Sequence, residues 1–144
     1  MREILFRGKR TCNNEWVEGG FHSRFGKAYI IGISKTERID GTEVIPETVG
    51  QYTGLTDKYG TKIFEGDIIK QIFRLKQTNG SWEREIISVI EYDISWDYSN
   101  VCGVCQRFND GSGIAMLSVM DTSGIVDCEV IGNIHDNPEL LKGE

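Results

Sequence analysis

The stretch Ile68-Ile69-Lys70-Gln71-Ile72-Phe73-Arg74-Leu75-Lys76-Gln77-Thr78-Asn79-Gly80-Ser81-Trp82 decides the fold class. Alternate positions fall into two sets, with Ile69, Gln71, Phe73 and Leu75 on one face and Lys70, Ile72, Arg74 and Lys76 on the other. A side-chain period of two belongs to a half-buried β-strand. Asn79-Gly80 favours the tight turn of a β-hairpin, because both residues tolerate positive φ. A second strand begins near Trp82. Its Ile86, Ile90, Tyr92, Ile94 and Trp96 share one parity, and Glu91, Asp93, Ser95 and Asp97 the other. Together the two segments predict a long antiparallel hairpin with a basic face on one strand and an acidic face on the other.

Turn chemistry extends the pattern in both directions. On the N-terminal side, Gln51 to Gly60 is rich in turn residues: the Asp57 carboxylate is placed to accept from backbone amides two residues on, and Gly60 supplies a positive φ. Ile63-Phe64 then leads into a second turn at Glu65-Gly66-Asp67. On the C-terminal side, Asn109-Asp110-Gly111 precedes a strand over 114–120, and a last strand runs near 126–134. Asn137-Pro138-Glu139-Leu140-Leu141 reads as a short helix start, with Asn as N-cap and Pro at the first helical position. The N-terminal third reads as hairpins, with Gly19-Gly20 closing one segment and Phe21 to Ile33 forming one or two strands. Asp40-Gly41-Thr42 and Pro46 break the strand pattern and mark a subdomain boundary between 40 and 52. The expected architecture is mostly β: a small antiparallel barrel or sandwich over 51–144, an N-terminal β-hairpin subdomain over 1–50, and a short C-terminal helix, all in one compact unit.

The chain has 144 residues, enough to bury a core without disulfide or metal staples. No segment approaches the roughly 20 apolar residues of a membrane-spanning helix. The opening MREILFRGKR carries charges inside its only apolar run and does not read as a signal peptide. A cytoplasmic location follows as an expectation, with Cys12, Cys102, Cys105 and Cys128 reduced. The net charge of −6 is uneven. Residues 1–38 hold eight Lys/Arg against four Glu, whereas residues 39–144 hold eight Lys/Arg against eighteen Asp/Glu. An acidic chain is a poor non-specific nucleic-acid binder, because such binding rests on cations neutralising phosphate. The asymmetry still leaves room for a local basic patch.

Candidate chemistry is sparse. Cys102-Gly103-Val104-Cys105 is the one metal-like motif, and Cys12, Cys128, His22 and His135 form no second pair to complete a structural zinc site. Two His residues and no nucleophile-elbow motif leave nucleophilic catalysis without a recognisable frame. Glu91, Asp93 and Asp97 line one strand face, where a cation or a nuclease-type metal would find carboxylates; a solvated acidic face is the more ordinary meaning. Lys70, Arg74 and Lys76 form the best nucleic-acid candidate, with Trp82 available across the hairpin for base stacking. Glu83 and Glu85 lie close and blunt that field, and an edge strand guarded by Lys against aggregation explains the same residues.

Three stretches resemble the YopX family of phage and prophage proteins. The opening Arg2-Glu3-Ile4-Leu5-Phe6-Arg7-Gly8 with Glu15-Trp16-Val17-Glu18-Gly19 is the first, and the central Val49 to Lys58 with Ile63 to Lys70 is the second and most specific. The closing Val130-Ile131-Gly132-Asn133-Ile134-His135-Asp136-Asn137-Pro138-Glu139-Leu140-Leu141 is the third. Tyr59 departs from the pattern, standing where a better turn former such as Asn is expected. The resemblance implies a gene carried by phages or prophages and a β-rich fold with an SH3-like barrel; it brings no activity and no catalytic residues. The leading expectation is therefore a non-enzymatic accessory protein that binds an unidentified protein partner, its own copies included, with no cofactor and no membrane contact. The alternative is a nucleic-acid-binding barrel using Lys70, Arg74, Lys76 and Trp82. A weaker alternative is a metal-dependent enzyme using the acidic strand face.

Overall fold

The computed structural model describes residues 4–33, 39–93, 103–108, 114–116 and 126–141. The chain divides into two compact units, Met1–Gly54 and Leu55–Glu144. Both are built from antiparallel strands, and none of the described helices is long and apolar enough to cross a membrane.

The first unit contains β1 (Phe6–Lys9), β2 (Trp16–Arg24), β3 (Lys27–Ile33), β4 (Ile39–Val44) and most of β5 (Gly50–Thr56), in the sheet order β4-β3-β2-β1-β5. Ala28, Ile30 and Val44 form its buried centre, and Phe6, Val17 and Val49 pack around them. These residues share one face because strand alternation and register put them there: Gly8 pairs with Val17, and Ala28 pairs with Val44. Gly19 is required by close packing. A Cβ on it would lie 2.3 Å from the Ile31 carbonyl oxygen. A 3-10 turn at Pro46–Thr48 joins β4 to β5. The buried Thr48 hydroxyl donates to the Ile45 carbonyl (2.6 Å) and accepts from the Lys9 amide (2.9 Å), fastening that turn to β1.

Past Gly54, β5 continues into the second unit, where β6 (Lys62–Phe64) is its neighbour. The second unit's own sheet comprises β7 (Asp67–Gln77), β8 (Gly80–Asp93), β9 (Gly103–Phe108), β10 (Ile114–Met116) and β11 (Val126–Asn133), in the order β10-β9-β8-β7-β11. Ile63, Ile69, Ile90 and Cys128 form its core, flanked by Leu55 and Val130. Ile68 and Ile69 are both fully buried, so β7 is covered on both faces at its start. The turns follow their expected mechanism: Asp67 Oδ2 accepts the Phe64 amide at 2.8 Å, and Gly66 and Gly60 have φ of 90° and 81°.

Three expectations are corrected. Neither sheet closes into a barrel among the described residues. In the first unit the residue after β1, Arg10, forms an isolated bridge to Val44 of β4, without a continuous ladder between the two strands. In the second, β10 and β11 are the two outer strands, each paired with one neighbour. The C-terminal helix is a four-residue 3-10 turn, Pro138–Leu141: the Leu140 amide reaches back only to the Asn137 carbonyl (3.1 Å), and the Asn137 side chain instead accepts the Asn133 amide (3.4 Å). The central hairpin forms as expected, but Gln77 pairs with Gly80, so the two-residue loop is Thr78-Asn79 and the positive φ (132°) falls on Gly80 as the first residue of β8.

Candidate functional site

The β2–β3 hairpin ends in the register pairs His22–Tyr29, Ser23–Ala28 and Arg24–Lys27. Its loop is Phe25-Gly26, with φ of 51° and 76°. Two consecutive positive φ values are the signature of the hairpin turn that matches strand twist, and Asn-Gly or Gly-Gly usually fills it. Phenylalanine does not. A left-handed backbone brings its Cβ against the following carbonyl, at a cost of roughly 1–2 kcal/mol. The ring gains no compensating burial, since Phe25 is 89% exposed. The Arg24 guanidinium lies 4.9 Å from the ring centroid.

The hairpin end stands clear of its flanking strands. β1 pairs with β2 only between Trp16 and Gly19, and β4 reaches β3 only from Ala28 onward. Residues 20–27 are all exposed, and they hold two cations and no carboxylate. Alternation puts His22, Arg24, Lys27 and Tyr29 on one face, with the His22 and Tyr29 rings 6.4 Å apart. Lys27 approaches Glu43 at 3.9 Å, a long and largely solvated ion pair that contributes little. On the same face near the base of the hairpin, Arg7 and Lys9 lie 4.6 and 5.6 Å from the Trp16 ring centroid. The surface combines cations with aromatic rings, the chemistry of contact with anions and flat apolar groups.

The sequence-nominated residues are placed differently. Lys70, Arg74 and Lys76 occupy alternate positions of β7, and the side chains of Arg74 and Lys76 lie outside the described residues. By register Arg74 faces Glu83, and Lys70 faces Glu129 on β11, so acidic positions are set against this row. Trp82 is paired with Leu75, which puts it on the opposite face from the three basic positions. The acidic row is also engaged: Glu91 accepts three hydrogen bonds from the Arg107 guanidinium at 2.9–3.1 Å. The Asp93 side chain and Asp97 lie outside the described residues. No three His, Cys, Asp or Glu side chains converge among the described residues. Cys12 is exposed and Cys128 buried, while Cys102 and the Cys105 side chain fall outside the description. Sequence reasoning missed Phe25. The available signal was Gly26, which splits Phe21 to Ile33 into two strands, but the residue before it hid the turn.

One buried carboxylate, Asp57, is structural. Asp57 Oδ1 accepts the Tyr59 and Thr61 amides at 2.9 Å each, and Oδ2 accepts the Val130 amide at 3.0 Å. Burial pushes its pKa up, but the three amides and the Thr61 hydroxyl outweigh that and leave it below the usual carboxylate range. Beside it, burial and then the Asp57 charge push the Cys128 thiol up to about 11.

Among solved structures the chain is similar to protein EF1440 from Enterococcus faecalis, at 20% identity and a TM-score of 0.39, with 98% of this chain and 99% of that one covered. No curated protein matches it. The family model described as YopX protein matches residues 5–142. With nearly the whole length accounted for, the chain belongs to the YopX family.

Proposed function

We propose that this protein is a non-enzymatic accessory protein of a phage or prophage, acting in the host cytoplasm by binding another macromolecule through the end of its β2–β3 hairpin. The observation that supports this reading is Phe25. Its backbone occupies a conformation that favours Gly or Asn, and its ring contributes almost nothing to a core. Burying such a ring contributes about 1.5–3 kcal/mol, which this position forgoes. A bulky residue that folding disfavours in two separate ways points to contact with something outside the chain.

The test compares the native chain with Phe25→Asn, each immobilised and exposed to lysate from phage-induced host cells. Asn suits the left-handed position, so the variant is expected to melt at the same temperature or higher, stabilised by up to about 1 kcal/mol. Specific retention from the lysate is expected to disappear. Retention that persists undiminished in Phe25→Asn refutes the hairpin as the contact surface.

A further inference from the structure

We infer that the hairpin end is a contact site for single-stranded nucleic acid, with Arg24 and Lys27 taking phosphate and the rings of Phe25, His22 and Tyr29 taking bases; this rests on the reading of the hairpin end as the contact surface. Arg24 and Lys27 are register partners, so their side chains leave the same face of the last rung side by side. His22 and Tyr29 are partners on the next rung of that face. Same-face rungs are about 7 Å apart, the scale on which a backbone phosphate and its base can be held separately. Phe25 extends the ring surface past the final rung, with the Arg24 guanidinium already lying over it.

Charge favours this occupant over an acidic partner protein only in combination with the rings. Cations alone recognise any anion, but exposed aromatic faces next to cations match unstacked bases on a phosphate backbone. A duplex hides those base faces. The chain's net charge of −6 does not decide the potential here, since charges act over only about 8 Å at physiological salt and residues 20–27 carry no carboxylate. One carboxylate borders this face: Glu43 is the register partner of Tyr29 and lies 3.9 Å from Lys27, a long and solvated contact that a phosphate can displace. The β7 row is less suited, because two acidic positions, Glu83 and Glu129, are set directly against its basic ones and Trp82 lies on the other face.

Fluorescence anisotropy on the full chain tests the site, using labelled oligothymidylate and oligoadenylate of about 12 nucleotides, a duplex of equal length and a polyglutamate peptide. Both single strands are expected to bind, more weakly as salt rises. Phe25→Asn is expected to weaken binding roughly 5- to 100-fold with the salt slope unchanged. The double variant Arg24→Glu/Lys27→Glu is expected to weaken it at least tenfold and to lower the log–log salt slope by about 1.4, as two lost phosphate contacts on a single strand require. If that variant misfolds by circular dichroism, Arg24→Gln/Lys27→Gln replaces it with the same expected direction. The inference is overturned if single strands fail to bind, if binding ignores both sets of variants, or if the duplex or the peptide binds better. When oligonucleotides fail but Phe25-dependent retention from lysate survives nuclease digestion, the nucleic-acid assignment falls and the contact surface stands. When retention also ignores Phe25, both fall.

Discussion

Asp57 shows how far a single residue can be read. Its role as a turn acceptor is legible from Asp57-Lys58-Tyr59-Gly60, and the Tyr59 amide meets it as that stretch predicts, while the Thr61 amide, four residues on, adds a second bond. Its third bond, to the Val130 amide 73 residues away, has no local signal. Because the folded-state pKa is lowered, the stabilisation is complete above the unfolded value near 4 and is lost as pH falls through the lower folded value. Asp57→Asn is expected to lose about 2 kcal/mol at pH 7, and the gap to the native chain is expected to narrow below pH 4 when urea unfolding is followed across pH. Next to it, Cys128 is buried with a raised pKa while Cys12 is exposed. Iodoacetamide at pH 8 is expected to label Cys12 in the folded chain and Cys128 only after denaturation, read by peptide mass mapping. Phe25 is the opposite case to Asp57: turn chemistry could not nominate it, because it violates the rule by which such turns are recognised.

Among the elements, the long β7–β8 hairpin was the most legible, since period-two alternation flanks Asn79-Gly80 on both sides. The loop sits one residue earlier than expected, at Thr78-Asn79, and β8 begins at Gly80 rather than near Trp82; Ile94 and Trp96 lie outside the described residues. The β2–β3 hairpin was legible only as one or two strands. Its glycines carry the difference: Gly26 turns the chain, and Gly19 admits the Ile31 carbonyl. Gly19→Ala would force a Cβ to within 2.3 Å of that oxygen, and backbone rather than a flexible side chain would have to move. A loss of roughly 1–3 kcal/mol is expected, measured by chemical denaturation. Gly26→Ala meets nothing within 4 Å and is expected to cost less, limited to the strain of its φ of 76°.

For the molecule as a whole, the β-rich class was legible from turns and alternation, while closure was not. Whether a sheet ends in open edges depends on long-range pairing between outer strands, which periodicity within a strand does not encode. Far-UV circular dichroism is expected to show a β spectrum without the double minimum of helix, and a helical spectrum would contradict the architecture. Solubility is expected to be lowest near pH 5.0, where the net charge vanishes, as turbidity across pH would show. The separation between Asp57 and Val130 also bears on time. The β7–β8 hairpin closes across a two-residue loop, whereas β11 must return from far along the chain before its Val130 amide can meet Asp57. Contacts that span such distances close late, because loop entropy is lost before any bond rewards it. A bond made after the rate-limiting step cannot hasten folding; it can only delay escape. Asp57 is thus expected to act as a latch on the folded state's lifetime, so that stopped-flow kinetics of Asp57→Asn show a faster unfolding limb beside a nearly unchanged folding limb.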